Sequence, residues 1–215
     1  MLDSLSQYPK LLDGLKKLPD NERISKCRNL CLIDLYFLLR YGCRRADLEH
    51  PWIFDRCKEV QDNPDGYLDL WAREHYKSTI ITFGKTIQDV LSDPEVTCGI
   101  FSHTRPIAKG FLRQIKREFE GNTLLNEWFS DVLWSNPQKE APKWSEDDGI
   151  VVKRKGNPKE STIEAWGLVD GHPTSKHFSL MVYDDVVTKE SVNTPDMIAK
   201  TTEALELSYS LGAIN

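Results

Sequence analysis

The stretch Trp71-Ala-Arg-Glu-His-Tyr-Lys77-Ser-Thr79 decides how this 215-residue chain is read. It follows the apolar run Tyr67-Leu-Asp-Leu-Trp71, which predicts a short strand. It opens an apolar-periodic segment over 77–91, which predicts a helix closed by Ser92-Asp-Pro94. A lysine followed by Ser-Thr between a strand and a helix is the chemical core of a phosphate-binding loop. The helix N-terminus offers unpaired N–H groups, Lys77 reaches the β/γ-phosphates, and the Ser78 hydroxyl ligates Mg²⁺, with Thr79 as its substitute. The loop departs from G-x-x-x-x-G-K-[ST] because Trp71 and Tyr76 stand at the two glycine positions. Without those glycines the same letters also describe an ordinary helix capped by Ser or Thr.

About a hundred residues on, Phe178-Ser-Leu-Met-Val-Tyr-Asp184-Asp185 reads as an apolar strand ending in two carboxylates. A nucleotide hydrolase places its Mg²⁺-binding acid and its water-orienting acid there, which assigns Asp184 to the metal and Asp185 to the water. Glu190 is the reserve for the second role. The plain alternative for the pair is a strand-terminal turn that caps the next segment. Lysine loop and acidic strand in this order point to an ATPase that uses ATP and Mg²⁺.

Arg73, His75, Lys77 and Ser78, together with Asp-Asp-Val-Val at 184–187, resemble the large terminase subunit of tailed bacteriophages. That family often carries a deviant loop with an arginine four residues before the lysine, where Arg73 stands. The resemblance spans roughly residues 60–215 and rests on these two motifs and their spacing. It implies a motor domain that packages double-stranded DNA into a prohead, with portal and small terminase subunit as partners. It further implies a homo-oligomeric ring when assembled, a monomer in isolation, and action in the cytoplasm of the infected host without a membrane. Nucleotide would contact the loop through Arg73, Glu74, His75, Tyr76, Lys77, Ser78 and Thr79. Arg73 could also reach the γ-phosphate, or form a surface salt bridge to Glu74 or Asp69. Such motors complete hydrolysis with a cation, often from a neighbouring subunit. Before the acidic strand, Lys176 is the one strong cation on offer. In the family the ATPase core continues into further strands, so residues 1–215 read as the N-terminal part of a longer protein.

Outward from the two motifs, strand, loop, helix, strand, helix and acidic strand alternate. This is the order of an α/β fold, a P-loop NTPase-like (ASCE-type) and mostly parallel sheet flanked by helices. Val96–Phe101 reads as a strand, 106–120 and 122–134 as helices, 135–148 as a loop and 194–210 as a helix. Ile150–Lys153 and Ser161–Ala165 could pair as antiparallel strands across Gly156-Asn157-Pro158. Residues 1–60 read as a helical N-terminal extension in which Leu30, Leu32, Leu35, Leu38 and Leu39 mark one buried helix. The turn cluster Gln61-Asp-Asn-Pro-Asp-Gly66 separates it from an ATPase core over 61–215.

Composition is globular, with 40% hydrophobic and 28% charged residues, and no apolar stretch approaches a membrane span. The five cysteines read as reduced, mostly buried thiols, although Cys27 and Cys31 share a helix face and could supply two metal ligands. A net charge of −5 excludes a surface that grips nucleic acid all over, so any DNA contact must be a local patch. One candidate is the helix face of Arg105, Lys109, Arg113, Lys116 and Arg117, partly neutralised by Glu118 and Glu120. The other is Lys153-Arg-Lys155 at a hairpin tip. A helicase-like ATPase, an interaction domain that binds no nucleotide, and a metal-dependent nuclease built on Glu164, Asp184 and Asp185 are the alternative readings.

Overall fold

A computed structural model describes residues 2, 4–63, 66, 68–72, 74–171 and 173–213. The chain opens with helices α1 (Tyr8–Lys16), α2 (Asp20–Ile33) and α3 (Leu35–Phe37). Asp20 and Glu22 lie in the first turn of α2, where the helix dipole favours carboxylates. The leucines at 30–39 do not form one helix. Asp34 breaks the run in an extended conformation, and its Oδ1 caps α3 by accepting from the Phe37 N–H at 2.9 Å. A short carboxylate that captures a backbone donor competes with helical continuation. Its Oδ2 accepts from the Tyr8 hydroxyl at 2.7 Å, so the break is itself packed into the interior. α3 passes into a π-helical turn, Leu38–Gly42. Helix α4 (Pro51–Asp62) follows, with proline in its first turn and His50 Nδ1 accepting from the Trp52 N–H.

The strand expected at 67–71 is not formed at Leu68–Trp71, and Tyr67 lies outside the described residues. Leu68 and Leu70 are 80% and 83% exposed. Alternating leucines become a strand only against a ladder partner. Leu211–Ala213 instead runs beside the chain just before Leu180, with Phe178 N–H donating to the Leu211 carbonyl and Ala213 N–H to the Phe178 carbonyl. The helix expected at 77–91 is present, and Thr79–Lys85 winds as a π-helix before α5 (Thr86–Ser92). The Thr86 N–H reaches the Ile81 carbonyl, five residues back. Gly84 lets this wide turn lie against the other one, since a Cβ there would stand 2.7 Å from Leu39 Cδ2.

Strands β1 (Cys98–Ser102), β2 (Trp144–Ser145), β3 (Gly149–Ile150), β4 (Ile163–Gly167) and β5 (Leu180–Tyr183) form one mixed sheet in the order β2-β3-β4-β1-β5. β1 is central and parallel to β4 and β5, while β3 runs antiparallel to β4 and β2 to β3. The antiparallel pairing expected between 150–153 and 161–165 occurs at Ile150↔Ile163. Beyond it the backbone donors turn elsewhere, Val151 to the Lys143 carbonyl and Lys153 to the Val132 carbonyl. Helices α6 (Arg105–Gly121), α7 (Thr123–Trp128), α8 (Pro137–Glu140) and α9 (Pro195–Tyr209) complete the chain. The segment expected as a helix over 122–134 is helical to Trp128, and the loop expected at 135–148 contains α8 and β2.

A single buried cluster runs from Tyr8 through Leu39, Ile80, Ile100 and Leu112 to Ala165. The N-terminal helices and one face of the sheet therefore share a core. The other face carries a smaller cluster of Phe101, Phe178 and Leu211 beside α9. All five cysteines are buried free thiols, and burial pushes Cys31 and Cys98 well above the ordinary thiol range. No helix among the described residues is long and apolar enough to cross a membrane.

Gly84→Ala should destabilise the protein by about 1–3 kcal/mol, because fully buried Leu39 has no free space to yield. Chemical denaturation measures this, and the effect of Gly84→Ala should shrink when it is measured in a Leu39→Ala background, because the clashing side chain is then gone.

Candidate phosphate-binding site

β5 delivers Asp184 to the carboxyl end of the parallel strands, where β4 and β5 flank β1 on opposite sides. Ligands of open α/β sheets bind beyond such ends. The Asp184 N–H donates to the Phe101 carbonyl at 2.9 Å, extending the ladder and fixing the carboxylate. The Asp184 side chain is only 2% exposed. Its Oδ2 accepts from the Thr82 hydroxyl at 2.7 Å. Its Oδ1 is met by charge, with Lys77 Nζ 2.9 Å away, and has no hydrogen-bond donor among the described residues. The structure thus brings Lys77 and Asp184, more than a hundred residues apart in sequence, into one buried ion pair.

Thr82 was not singled out by its sequence context. Residues five apart do not share a face in an α-helix, but the π-helical turn brings Lys77 and Thr82 onto the same carboxylate. The signal available was a polar residue in the apolar run Thr79-Ile-Ile-Thr-Phe, but the wide turn that uses it is a tertiary feature. Ser102, at the end of β1 and level with Asp184, holds a buried hydroxyl without a partner, as does His103 at Nδ1. Asp69 also approaches the site. Burial pushes its carboxyl up, with Glu59 adding, while Trp71 and Lys77 act the other way.

The loop before Lys77 supplies by strain what glycine would supply freely. Tyr76, at the second glycine position of the phosphate-loop pattern, has φ 60°, and Glu74 has φ 65°. An L-residue held there costs about 1–2 kcal/mol. Tyr76 is retained by its ring and hydroxyl. Arg45 holds the Asp47 carboxyl below its usual range, and the Tyr76 hydroxyl adds to that effect by donating to it. Glu74, His75 and Tyr76 line a cleft of about 310 Å³ with His50, Trp52 and Ile53 from the start of α4. The Trp52 ring meets both His75 and Trp71 edge-on, at 5.2 and 5.3 Å between centroids. Arg73 lies outside the described residues. Ser78 and Thr79, partly buried, begin the helix.

Asp185 has φ 51° and a 64% exposed side chain, and its Oδ1 is 3.9 Å from Lys77 Nζ. Its carbonyl accepts from the His103 N–H. Glu190 begins a short 3₁₀ turn. Its own backbone N–H, and then the Thr188 hydroxyl and His103, hold its carboxyl below the ordinary range. Lys176 is not brought to the site. It pairs with Glu164 at 2.8 Å, three rungs back along the sheet and largely buried. Glu164 is accordingly separated from Asp184 and Asp185, and no cluster of three or more acidic, histidine or cysteine ligands occurs among the described residues.

The donor set that remains, a buried carboxylate oxygen without a hydrogen-bond donor, a second carboxylate and free hydroxyls, suits Mg²⁺. This ion takes one or two carboxylates and completes its shell with water and phosphate oxygens. No protein-family profile matches the chain, and no curated protein is significantly similar to it.

Thr82→Val keeps the shape and removes the donor to Asp184 Oδ2. The variant should lose about 1–3 kcal/mol of stability by chemical denaturation, the cost of an unsatisfied buried acceptor. Thr82→Ser should lose much less.

Proposed function

We propose that this chain is the ATP-hydrolysing portion of a motor that translocates double-stranded DNA, as the large terminase subunits do. The observation that carries the reading is the pairing of Lys77 with buried Asp184 at the carboxyl ends of parallel strands. A lysine that leads a helix and a carboxylate that ends a strand meet where a nucleotide's phosphates and its metal would lie. Left-handed Tyr76 immediately before Lys77 supports it, because the backbone adopts the glycine-like conformation that lets N–H groups turn toward phosphate.

Under this reading the fold is a P-loop NTPase-like ATPase core over 61–215 behind a helical extension over 1–60. Lys77 exchanges Asp184 for the β/γ-phosphates when ATP arrives. Ser78 and Asp184 hold Mg²⁺, which neutralises developing phosphate charge when bound. The base stacks in the aromatic cleft of Trp52, His75 and Tyr76, next to the loop. Asp185, exposed beside Lys77, orients the attacking water, and Glu190 is the other carboxylate for that role. Lys176 is committed to Glu164 in its own chain, so the cation that completes hydrolysis comes from a neighbouring subunit of an assembled ring. DNA, portal and small subunit are the partners in the cytoplasm of an infected host. The parallel bridge of Gly212 to Phe178 fits a sheet that gains a further strand beside β5.

Lys77→Ala should abolish ATP binding in calorimetry, since no other cation among the described residues faces Asp184. Equal affinity in variant and parent would sink the reading.

Asp185→Asn should leave nucleotide affinity within a fewfold and lower turnover by about 10²-fold or more, as an amide cannot polarise water. If Glu190→Gln is the inactive variant and Asp185→Asn hydrolyses normally, Glu190 holds the role.

A further inference from the structure

The basic helix face and the basic hairpin differ in how their charge is used. On α6, Lys109 pairs with Asp147, Arg113 with Glu146 and Lys116 with Glu120, while Arg105 donates to the Asp147 carbonyl and stacks on Trp166. Three of that face's five cations are thus paired within the chain, and Arg117 has no ion pair among the described residues. Around the β3–β4 connection, Lys143, Lys153, Arg154, Lys155 and Lys159 have no ion pair among the described residues, although Lys153 and Lys159 each donate to a backbone carbonyl.

Lys143, Arg154 and Lys159 line a cleft of about 380 Å³ with Trp134, Pro142 and Pro158. Arg154 Nη2 is held by the Glu160 carbonyl at 2.7 Å, and its Nη1 is buried with no partner at all. Three carboxylates lie near enough to offset part of its charge, and each also accepts other hydrogen bonds. Glu95 accepts from the N–H groups of Lys155 and Gly156, Glu160 from the His177 N–H, and Glu164 from Lys176. A guanidinium fork with an unused donor at the base of a cleft, and exposed lysines on its rim, is suited to phosphate. The cleft lies at the amino end of β1, because Glu95 precedes that strand. It is therefore at the opposite end of the sheet from Asp184.

We infer that this cleft is a nucleic-acid contact that seats the phosphodiester backbone of duplex DNA, with Arg154 on one phosphate and Lys143 and Lys159 on its neighbours. The choice of duplex DNA as the polyanion rests on the motor reading, whereas the unpaired charge does not. In a chain of net charge −5, exposed lysines without an ion pair around one cleft are the local patch that such binding requires.

The test is fluorescence anisotropy of a labelled short DNA duplex with the full chain at low salt. Lys143→Glu and Lys159→Glu should each weaken binding about tenfold or more, irrespective of duplex sequence, and lower the salt slope by about one. Lys10→Glu on α1 should change it little. Arg154→Ala removes contacts to two carbonyls of the hairpin, so the exposed lysine variants carry the decision. Equal binding by parent and both lysine variants overturns the inference. So does displacement of duplex by polyglutamate at equal charge, or binding of inorganic phosphate without duplex. Lys77→Ala separates the two proposals, since it should lose ATP and keep duplex. Duplex binding by a parent protein that binds no ATP would end the motor reading and leave this contact standing.

Discussion

The site depends on a carboxylate that is almost wholly removed from water yet remains charged-partnered. Asp184 is fixed from three directions, by the sheet through its N–H, by the Lys77 ammonium and by the Thr82 hydroxyl. Burying an ion without such partners costs several kcal/mol, and removing one partner leaves the other uncompensated. Lys77 and Thr82 meet one carboxylate on a helix that winds wide from Thr79 to Lys85. The same turn packs Gly84 directly against Leu39 of the N-terminal helices. The geometry at the strand ends is thus set partly by residues far from it in sequence. For that reason the N-terminal segment is integral to the fold.

The loop shows how a sequence can satisfy a backbone requirement without the residue that usually meets it. Tyr76 takes up a conformation that costs an L-residue free energy, and its ring and hydroxyl contacts offset that cost. Strain held by surrounding packing is common where a backbone must approach a ligand.

Much of this was legible in the chain. The helix after Lys77 and the acidic strand were visible from their apolar patterns, α6 from the turn that precedes it and α9 from its Thr194-Pro195 start. The juxtaposition of Lys77 and Asp184 followed from their motif order. What was not legible depended on contacts from a distance. Leu68 and Leu70 alternate like a strand, but alternation cannot say whether a ladder partner is present. The leucines at 30–39 read as one helix because the capping power of Asp34 is expressed only when Tyr8 and Phe37 reach it. Of the two carboxylates placed against the α6 cations, Glu120 pairs with Lys116 while Glu118 accepts from Asn122, and Glu146 and Asp147 arrive from some thirty residues downstream. Lys176 was the one cation in its segment, and the sequence gives no sign that Glu164 occupies it.

The uneven use of charge gives the molecule an electrical polarity along its strands. Asp184 and Asp185 stand where the parallel strands end, and lysines without an ion pair among the described residues gather where β1 begins. At physiological salt, fields fade over about 8 Å. A polyanion at longer range meets only a weak net repulsion from an acidic protein, and one close to the hairpin meets attraction. Encounter with such a partner is therefore selective for orientation before any specific contact forms, with the hairpin end leading and the carboxylate end facing away.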